Sequence, residues 1–284
     1  MGEVKLFQLA AEKTDPRPRG AASAARIPIE VKGLSHYYLK RADSRAEAVA
    51  ALADVDLEVE PAEFVALVGP SGCGKTTLLN ILSGLIEVQQ GRVSVLDAPP
   101  AAARRDVAYM FARDALLPWR TALRNVTLGL EPLKLPAAEM RDRAGMMLRR
   151  VKLGEFLHAY PSQLSQGMRQ RVALARTFAL PSQVLLMDEP FAALDAHLRI
   201  EAGDLLLQLW EQDRRTVVFV THDLHEAIAL ADRVIVFHPR PGRIATQFKI
   251  PFRRPRSVEE LQESSEYHDF YRHLWRAMAV GEGR

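Results

Sequence analysis

The chain has 284 residues, 48% of them hydrophobic and 26% charged, a balance that supports a buried core and excludes a disordered or collagen-like chain. No run of 18 apolar residues occurs, residues 1–26 lack the apolar stretch of a secretory leader, and the single cysteine has no intramolecular partner, so a soluble cytoplasmic chain is expected. The net charge of +3 sits at the ends, where residues 1–26 carry five Lys and Arg against three acids and residues 240–284 nine against six; the stretch between is left at −2, which argues against nucleic acid as a partner.

Residues 1–26, rich in Ala, Arg and Pro, predict a flexible extension. Apolar alternation opens at Ile27, Ile29 and Val31, and a second strand-like stretch covers Val55, Leu57 and Val59. Phe64-Val65-Ala66-Leu67-Val68 is a continuous apolar run, and Val184–Met187 and Val217–Val220 are two more, bounded by polar residues and separated by helical patterns. A parallel sheet covered on both faces requires such strands, so the fold class is α/β.

After Val68 comes Gly69-Pro70-Ser71-Gly72-Cys73-Gly74-Lys75-Thr76-Thr77, followed by the helical apolar positions Leu78, Leu79, Ile81 and Leu82. This is a P-loop pattern, G-x-x-x-x-G-K followed by Ser or Thr, set between a buried strand and a helix. Glycines let the backbone curl so that successive N–H groups face phosphate oxygens, and the helix beginning near Lys75 adds its positive end. Lys75 supplies charge for the β- and γ-phosphates, and Thr76 offers a hydroxyl to Mg²⁺, a hard cation that prefers oxygen. Cys73, beside a helix N-terminus, is expected to be a reactive thiol whose alkylation blocks the nucleotide.

Between about Arg113 and Ala179 the pattern is helical, with Met140, Ala144, Met147, Leu148 and Val151 spaced for one face and Gly154 placed to end the helix. A helical subdomain inserted between sheet strands is expected there. Asp188 closes the run Val184–Met187, so its carboxylate emerges at the C-terminal edge of the sheet, where it can hold the water shell of Mg²⁺. Glu189 follows, placed to orient or deprotonate a water attacking the γ-phosphate. Water as nucleophile means hydrolysis; the competing reading is an acidic turn before Pro190. Residues 251–284 form a tail in which Tyr267, Phe270, Tyr271, Leu274, Trp275 and Met278 make a helical stripe expected to pack on its own domain. Arg253, Arg254 and Arg256 read as solvated charge, or more weakly as a contact for anionic lipid headgroups.

Further motifs follow one order along the chain. Leu164-Ser165-Gln166-Gly167-Met168-Arg169-Gln170-Arg171 resembles the LSGGQ signature of ABC ATPases, Phe191-Ala192-Ala193-Leu194-Asp195 resembles their D-loop, and Thr221-His222-Asp223-Leu224-His225-Glu226-Ala227 their switch-histidine segment. The resemblance covers about Ile27 to Ile250. It implies an N-terminal antiparallel β subdomain beside the P-loop core, ATP and Mg²⁺ as ligands, Tyr38 stacked on adenine with Tyr37 as the alternative, and His222 as a γ-phosphate sensor. It also implies a head-to-tail pair of ATPase subunits. Ser165, Gln166, Gly167 and Met168 would open a helix whose N–H groups face the partner's γ-phosphate, since the chain uses its own P-loop for its own nucleotide.

Leu116-Leu117-Pro118-Trp119 and Pro239-Arg240-Pro241-Gly242-Arg243-Ile244 are similar to segments of importers of the nitrate, sulfonate, taurine and bicarbonate group. That similarity implies transmembrane permease subunits, an extracytoplasmic solute-binding protein, a small anion or sulfonate-like solute, and a peripheral place at the cytoplasmic face of the inner membrane. Three positions depart from the pattern: Gln166 replaces a signature glycine, Met168 replaces its glutamine, and Ala112, in Met110-Phe111-Ala112-Arg113-Asp114, stands where the family's Q-loop glutamine reaches Mg²⁺. A hydrolysis-poor regulatory subunit and a soluble ABC ATPase without a transport role are the alternatives.

Overall fold

Antiparallel pairing of β1 (Ile29–Ala42) with β2 (Arg45–Val59) opens the fold in the computed structural model, which describes residues 27–42, 45–239 and 241–279. The expected N-terminal extension lies outside the described residues. The chain continues through β3 (Phe64–Val68), α1 (Lys75–Leu82), β4 (Gln90–Val95), the short α2 (Pro100–Ala103) and β5 (Val107–Met110). Three helices follow, α3 (Ala122–Leu130), α4 (Ala137–Arg150) and α5 (Gln166–Ala179). Then come β6 (Val184–Asp188), α6 (Ala196–Gln212), β7 (Thr216–Val220), α7 (Leu224–Leu230), β8 (Arg233–His238) and β9 (Arg243–Lys249). Helices α8 (Val258–Gln262) and α9 (Ser265–Ala279) close the described chain.

The main sheet has the order β5-β6-β7-β3-β8-β9, parallel throughout except for the antiparallel pair β8–β9. Its inner strands β6, β7, β3 and β8 are buried on both faces, and their alternate side chains enter two different cores, while the edge strand β9 stays exposed to half-buried. Phe64, Ala66, Val68, Leu185, Met187, Val217 and Phe219 pack with the helices of the larger core, while Val65, Leu67, Val184, Leu186, Val218 and Val220 pack with α1 and the three-stranded sheet β2-β1-β4. The fold class is thus the expected one: a largely parallel α/β core, an antiparallel β sheet beside it and helices between β5 and β6.

The α4 face is as expected, with Ala144, Met147, Leu148 and Val151 buried, but Gly154 does not end that helix. The helix stops at Arg150, the left-handed turn falls on Lys152 (φ 61°), and Gly154 opens a short 3-10 turn. The early reversal lets Leu153 N–H bond back to Leu148 O at 2.8 Å while the Leu153 side chain is buried, a C-terminal closure in which hydrophobic contact outweighs glycine preference.

In α9, Tyr267 and Leu274 are fully buried, whereas Trp275 is exposed and stacks on Tyr271, so the stripe packs on its own domain except at Trp275. Two of the three tail arginines are not solvated. Arg254 Nε donates to Asp232 Oδ1 at 2.7 Å with its guanidinium over the Trp210 ring, and Arg256 donates to Ala231 O at 2.5 Å. Burial, with Arg254 beside it, pushes the Arg256 guanidinium down to about 10. These are clamps on the end of α7 rather than headgroup contacts; Arg253 alone of the three is exposed.

The start of β9 is laced to β2. Gly242 N–H donates to Ala51 O and Ala53 N–H to Gly242 O, each at 3.0 Å. A β-carbon on Gly242 would lie 2.0 Å from the carbonyl oxygen of Cys73, so the glycine is required by the close passage of two backbones. Gly242→Ala is expected to push the loop at Cys73 outward, costing about 1–3 kcal/mol, the range for overpacking, and weakening nucleotide binding. Thermal melting and titration with a fluorescent ATP analogue check this; unchanged values in both would contradict it.

Candidate active site

Three adjacent strands, β3, β7 and β6, release their following loops at one edge of the sheet, the C-terminal edge where parallel sheets present ligand sites. The first loop, residues 69–74, ends at Gly74, directly before α1. Gly72 sits at φ 77°, and a β-carbon there would meet nothing within 4 Å, so its constraint is conformational and its open side faces the cleft. That cleft has a volume of about 680 Å³ and is lined by Tyr38, Val49, Ala51, Ser71 to Thr77, Glu189 and Pro241. Gly69 and Pro70 lie behind it, and their carbonyls accept from Lys75 Nζ at 2.7 and 3.0 Å. The ammonium is thereby held inside the loop, at the level where backbone N–H groups converge on an anion.

Tyr38 forms the side wall: its ring is about half exposed and its hydroxyl lies 3.3 Å from Thr77 Oγ1. Tyr37, the alternative, does not line the cleft and is tied through its backbone to Gln89, N–H to Oε1 at 2.8 Å.

Thr76 Oγ1 donates to Asp188 Oδ1 at 3.0 Å, bringing together the two groups expected near a metal. Among the described residues no group of three His, Cys, Asp or Glu is placed to hold an ion by protein alone. Two hard oxygen donors beside a phosphate-sized cleft suit a cation that takes its other ligands from phosphate and water, as Mg²⁺ does. Burial raises the Asp188 carboxyl, and the hydrogen bond from Thr76 opposes that rise. Tyr109, on β5, donates its hydroxyl to Asn80 Oδ1 at 3.1 Å and lies 3.5 Å from Asp188 Oδ2. Burial first, and Asp188 second, push the Tyr109 phenol well above its usual range, so it stays a neutral donor.

Glu189 occupies the left-handed region, φ 46°, a conformation rare for a residue with a side chain and one that concentrates at functional sites. Its N–H donates to Val220 O at 2.9 Å, which pins the turn to β7. The bend aims its carboxylate at the next loop, where Oε2 lies 3.0 Å from His222 Nδ1. Behind the histidine, Thr221 Oγ1 donates to Glu226 Oε2 at 2.5 Å, and burial pushes that carboxyl up to about 7.

Ser165, Gln166, Gly167, Met168, Asp195 and Ala112 do not join the cleft. Ser165 caps α5 by accepting from Met168 N–H at 3.3 Å, so the Met168 N–H expected to face a partner's phosphate is engaged within the chain. Gln166 Nε2 donates to Ala193 O at 2.5 Å, which turns the departure from glycine into a tether onto the loop after β6. Asp195 caps α6 through Leu198 N–H at 2.9 Å. Ala112 and Arg113 are exposed beyond β5, and Asp114 accepts from Arg169 Nε at 3.0 Å, so that carboxylate is committed to α5. Cys73 lines the cleft with backbone alone: its side chain is fully buried, with Sγ 3.5 Å from Lys75 Nζ, which overturns the expected reactivity. The sequence reading missed Tyr109, Asn80 and Arg199. The available signal was a strand at Val107–Met110, whose pairing sets Tyr109 beside Leu186, two positions before Asp188.

Comparison with known proteins gives a consistent picture. The family described as ABC transporter matches residues 52–192. An ABC transporter ATP-binding protein of Methanocaldococcus jannaschii is 43% identical over 240 residues, covering 84% of this chain and 88% of that protein. The taurine import ATP-binding protein TauB of Chromobacterium violaceum is 44% identical over 208 residues, 73% of this chain and 80% of that one. Among solved structures, a dimeric post-hydrolysis state of an ATP-binding cassette bound to ADP and Pi aligns with a TM-score of 0.69 at 33% identity, covering 79% of this chain and all of that chain.

Burial of Cys73 gives a direct expectation. In the native fold a bulky maleimide should leave Cys73 unlabelled with or without nucleotide, and should label it fully after denaturation. Mass spectrometry reads both states; rapid native labelling would show that the loop opens far more than this geometry allows.

Proposed function

Because this chain belongs to the ABC transporter family and is an ABC-type ATPase, we propose that it works as one of a pair of ATPase subunits driving import of a small anion or sulfonate-like solute. The observation that carries the chemical part is that Glu189 lines the cleft with Lys75 and Thr76 and lies 3.0 Å from His222. In this reading Tyr38 stacks on adenine, and the backbone of residues 69–77 with Lys75 binds the phosphates. Thr76 and Asp188 would hold Mg²⁺, which would supply positive charge to offset that of the phosphates. Glu189 orients the attacking water and accepts its proton, and His222 holds the Glu189 carboxylate in place and donates to the γ-phosphate.

The second copy is a homodimer partner whose nucleotide faces Ser165, Gln166, Gly167 and Met168, with Asp195 and its loop at the contact. Transmembrane permease subunits receive the motion, and an extracytoplasmic solute-binding protein delivers the solute. The name of the TauB relatives supports the sulfonate-like class. No helix among the described residues is long and apolar enough to cross a membrane. The proposed place is peripheral, at the cytoplasmic face. The proposed units are an ATPase domain over residues 27–250 with a helical subdomain at about 113–179, an N-terminal extension at 1–26 and a tail from 251.

Glu189→Gln should keep ATP affinity while turnover falls by roughly 10²–10⁴-fold, the range for loss of a positioned acid or base. Phosphate release and fluorescent-nucleotide titration check the two halves; wild-type turnover would remove Glu189 from the mechanism.

Ala112 favours a second expectation. Asp114 is bound to Arg169, so it does not fill the place of a glutamine, whereas the Tyr109 hydroxyl already reaches toward Asp188. Tyr109→Phe should therefore raise the Mg²⁺ concentration needed for half-maximal binding of Mg·ATP by about three- to tenfold, the equivalent of one neutral hydrogen bond. Ala112→Gln should leave turnover level or lower. A clear rise in turnover with Ala112→Gln, and no change in Mg²⁺ dependence with Tyr109→Phe, would favour the slow regulatory subunit instead.

A further inference from the structure

We propose that Arg199 is a positioning residue that keeps His222 in reach of Glu189 by tying the loop after β6 to the loop after β7. The inference rests on the reading that Glu189 and His222 serve hydrolysis.

The problem it addresses is mechanical. Glu189 and His222 stand on separate loops, and the backbone bond from Glu189 N–H to Val220 O lies at the strand ends, before the chain reaches His222. The His222 side chain is 53% exposed, so packing does not fix it. Its position has to come from its neighbours in the chain, Thr221 and Asp223.

Both neighbours are held. Arg199, in the first turn of α6, donates from Nη1 to Asp223 Oδ2 at 2.6 Å and from Nη2 to Leu194 O at 3.0 Å. One guanidinium thus bonds the loop that follows Glu189 and the loop that carries His222. Asp223 Oδ1 in turn accepts from His225 N–H at 2.7 Å, and Asp223 N–H donates to Thr221 Oγ1 at 3.0 Å, so the arginine holds a closed turn rather than a loose side chain. Arg199 Nε is buried without a hydrogen bond and stands 3.6 Å from Glu226 Oε1, the carboxylate whose other oxygen takes the Thr221 hydroxyl. With the side chains of Arg199 and Asp223 only 26% and 17% exposed, this is a partly desolvated pair and not a surface ion pair of negligible worth. A planar fork is needed because the two acceptors diverge; a lysine ammonium carries the charge but lacks the fixed spread that reaches both.

The test is a double-mutant cycle on the full-length chain, with kcat and KM read from a titration of ATP. Arg199→Ala should lower kcat by roughly tenfold to a hundredfold, the size of effect expected when a reacting group is misplaced by about 1 Å, while KM for ATP stays within about twofold. Arg199→Lys should fall between. In a His222→Ala background Arg199→Ala should cause no further loss, because it acts through the missing histidine. An equal fold loss in both backgrounds would overturn the proposal, as would a change confined to KM. If Arg199→Ala does not fold at the assay temperature, as judged by melting, Asp223→Asn takes its place in the same cycle with the same expectations. A normal rate for His222→Ala alone would bring down the reading of the site and this proposal with it; a slow His222→Ala that multiplies with Arg199→Ala would bring down this proposal only.

Discussion

Strand register is the constraint on which the site depends. Val220 pairs with Leu67 on one side and with Asp188 on the other, so the ends of β3, β7 and β6 stand in one row, a strand spacing of roughly 4.8 Å apart. Loops released from that row begin side by side whatever their own sequences prefer. Lys75, Glu189 and His222, far apart in the chain, meet for this reason. The register is secured by burial on both faces, since slipping one strand by a residue would exchange its two sets of side chains between the cores on opposite sides of the sheet. The chemistry at the edge is therefore underwritten by valines and leucines that never touch a ligand.

Around this row, separate parts of the chain are fastened to the phosphate loop and its neighbours by single polar contacts. The passage of Gly242 behind Cys73 braces the loop from the β2–β9 side. Gln166 and Gln170, on α5, reach the carbonyls of Ala193 and Pro190. Arg169 and Arg176 hold the segment at Asp114. These polar contacts add to apolar packing, since Val172, Leu174, Ala175 and Phe178 of α5 share one core with Ala108, Met110, Leu185 and Met187 of the sheet.

The strands at Phe64, Val184 and Thr216 and the loop between Gly69 and Thr77 were legible in the sequence because burial on both faces writes an unbroken apolar run and glycine spacing writes a phosphate loop. Strand β4 was not, since its first three residues are exposed and polar, and neither was β9, whose positions alternate between exposed and half-buried without a strongly apolar face. Missing β5 concealed Tyr109, because only its strand register points it toward Asp188. The role of Ser165 was read in part: the residue type and helix start were clear, but its acceptance of Met168 N–H follows from backbone geometry. Cys73 was misjudged because a position within a loop pattern does not say which way a side chain turns. Arg254 and Arg256 were read as charge in a tail, when Trp210 and the carbonyls at the end of α7 supply them with partners.

The left-handed turn at Glu189 sets stability against activity at one codon. A residue with a β-carbon held there costs about 1–2 kcal/mol relative to glycine, and asparagine bears less of that cost because its short side chain bonds to the local backbone. A library selected only for resistance to heat would be rewarded for replacing Glu189 with one of those two, and the reward would come from relaxing the same backbone that aims the carboxylate. Survivors of such a screen would be sturdier and idle. Thermal selection on this scaffold therefore has to be paired with a demand for phosphate release, or the easiest gain lies in abandoning the chemistry.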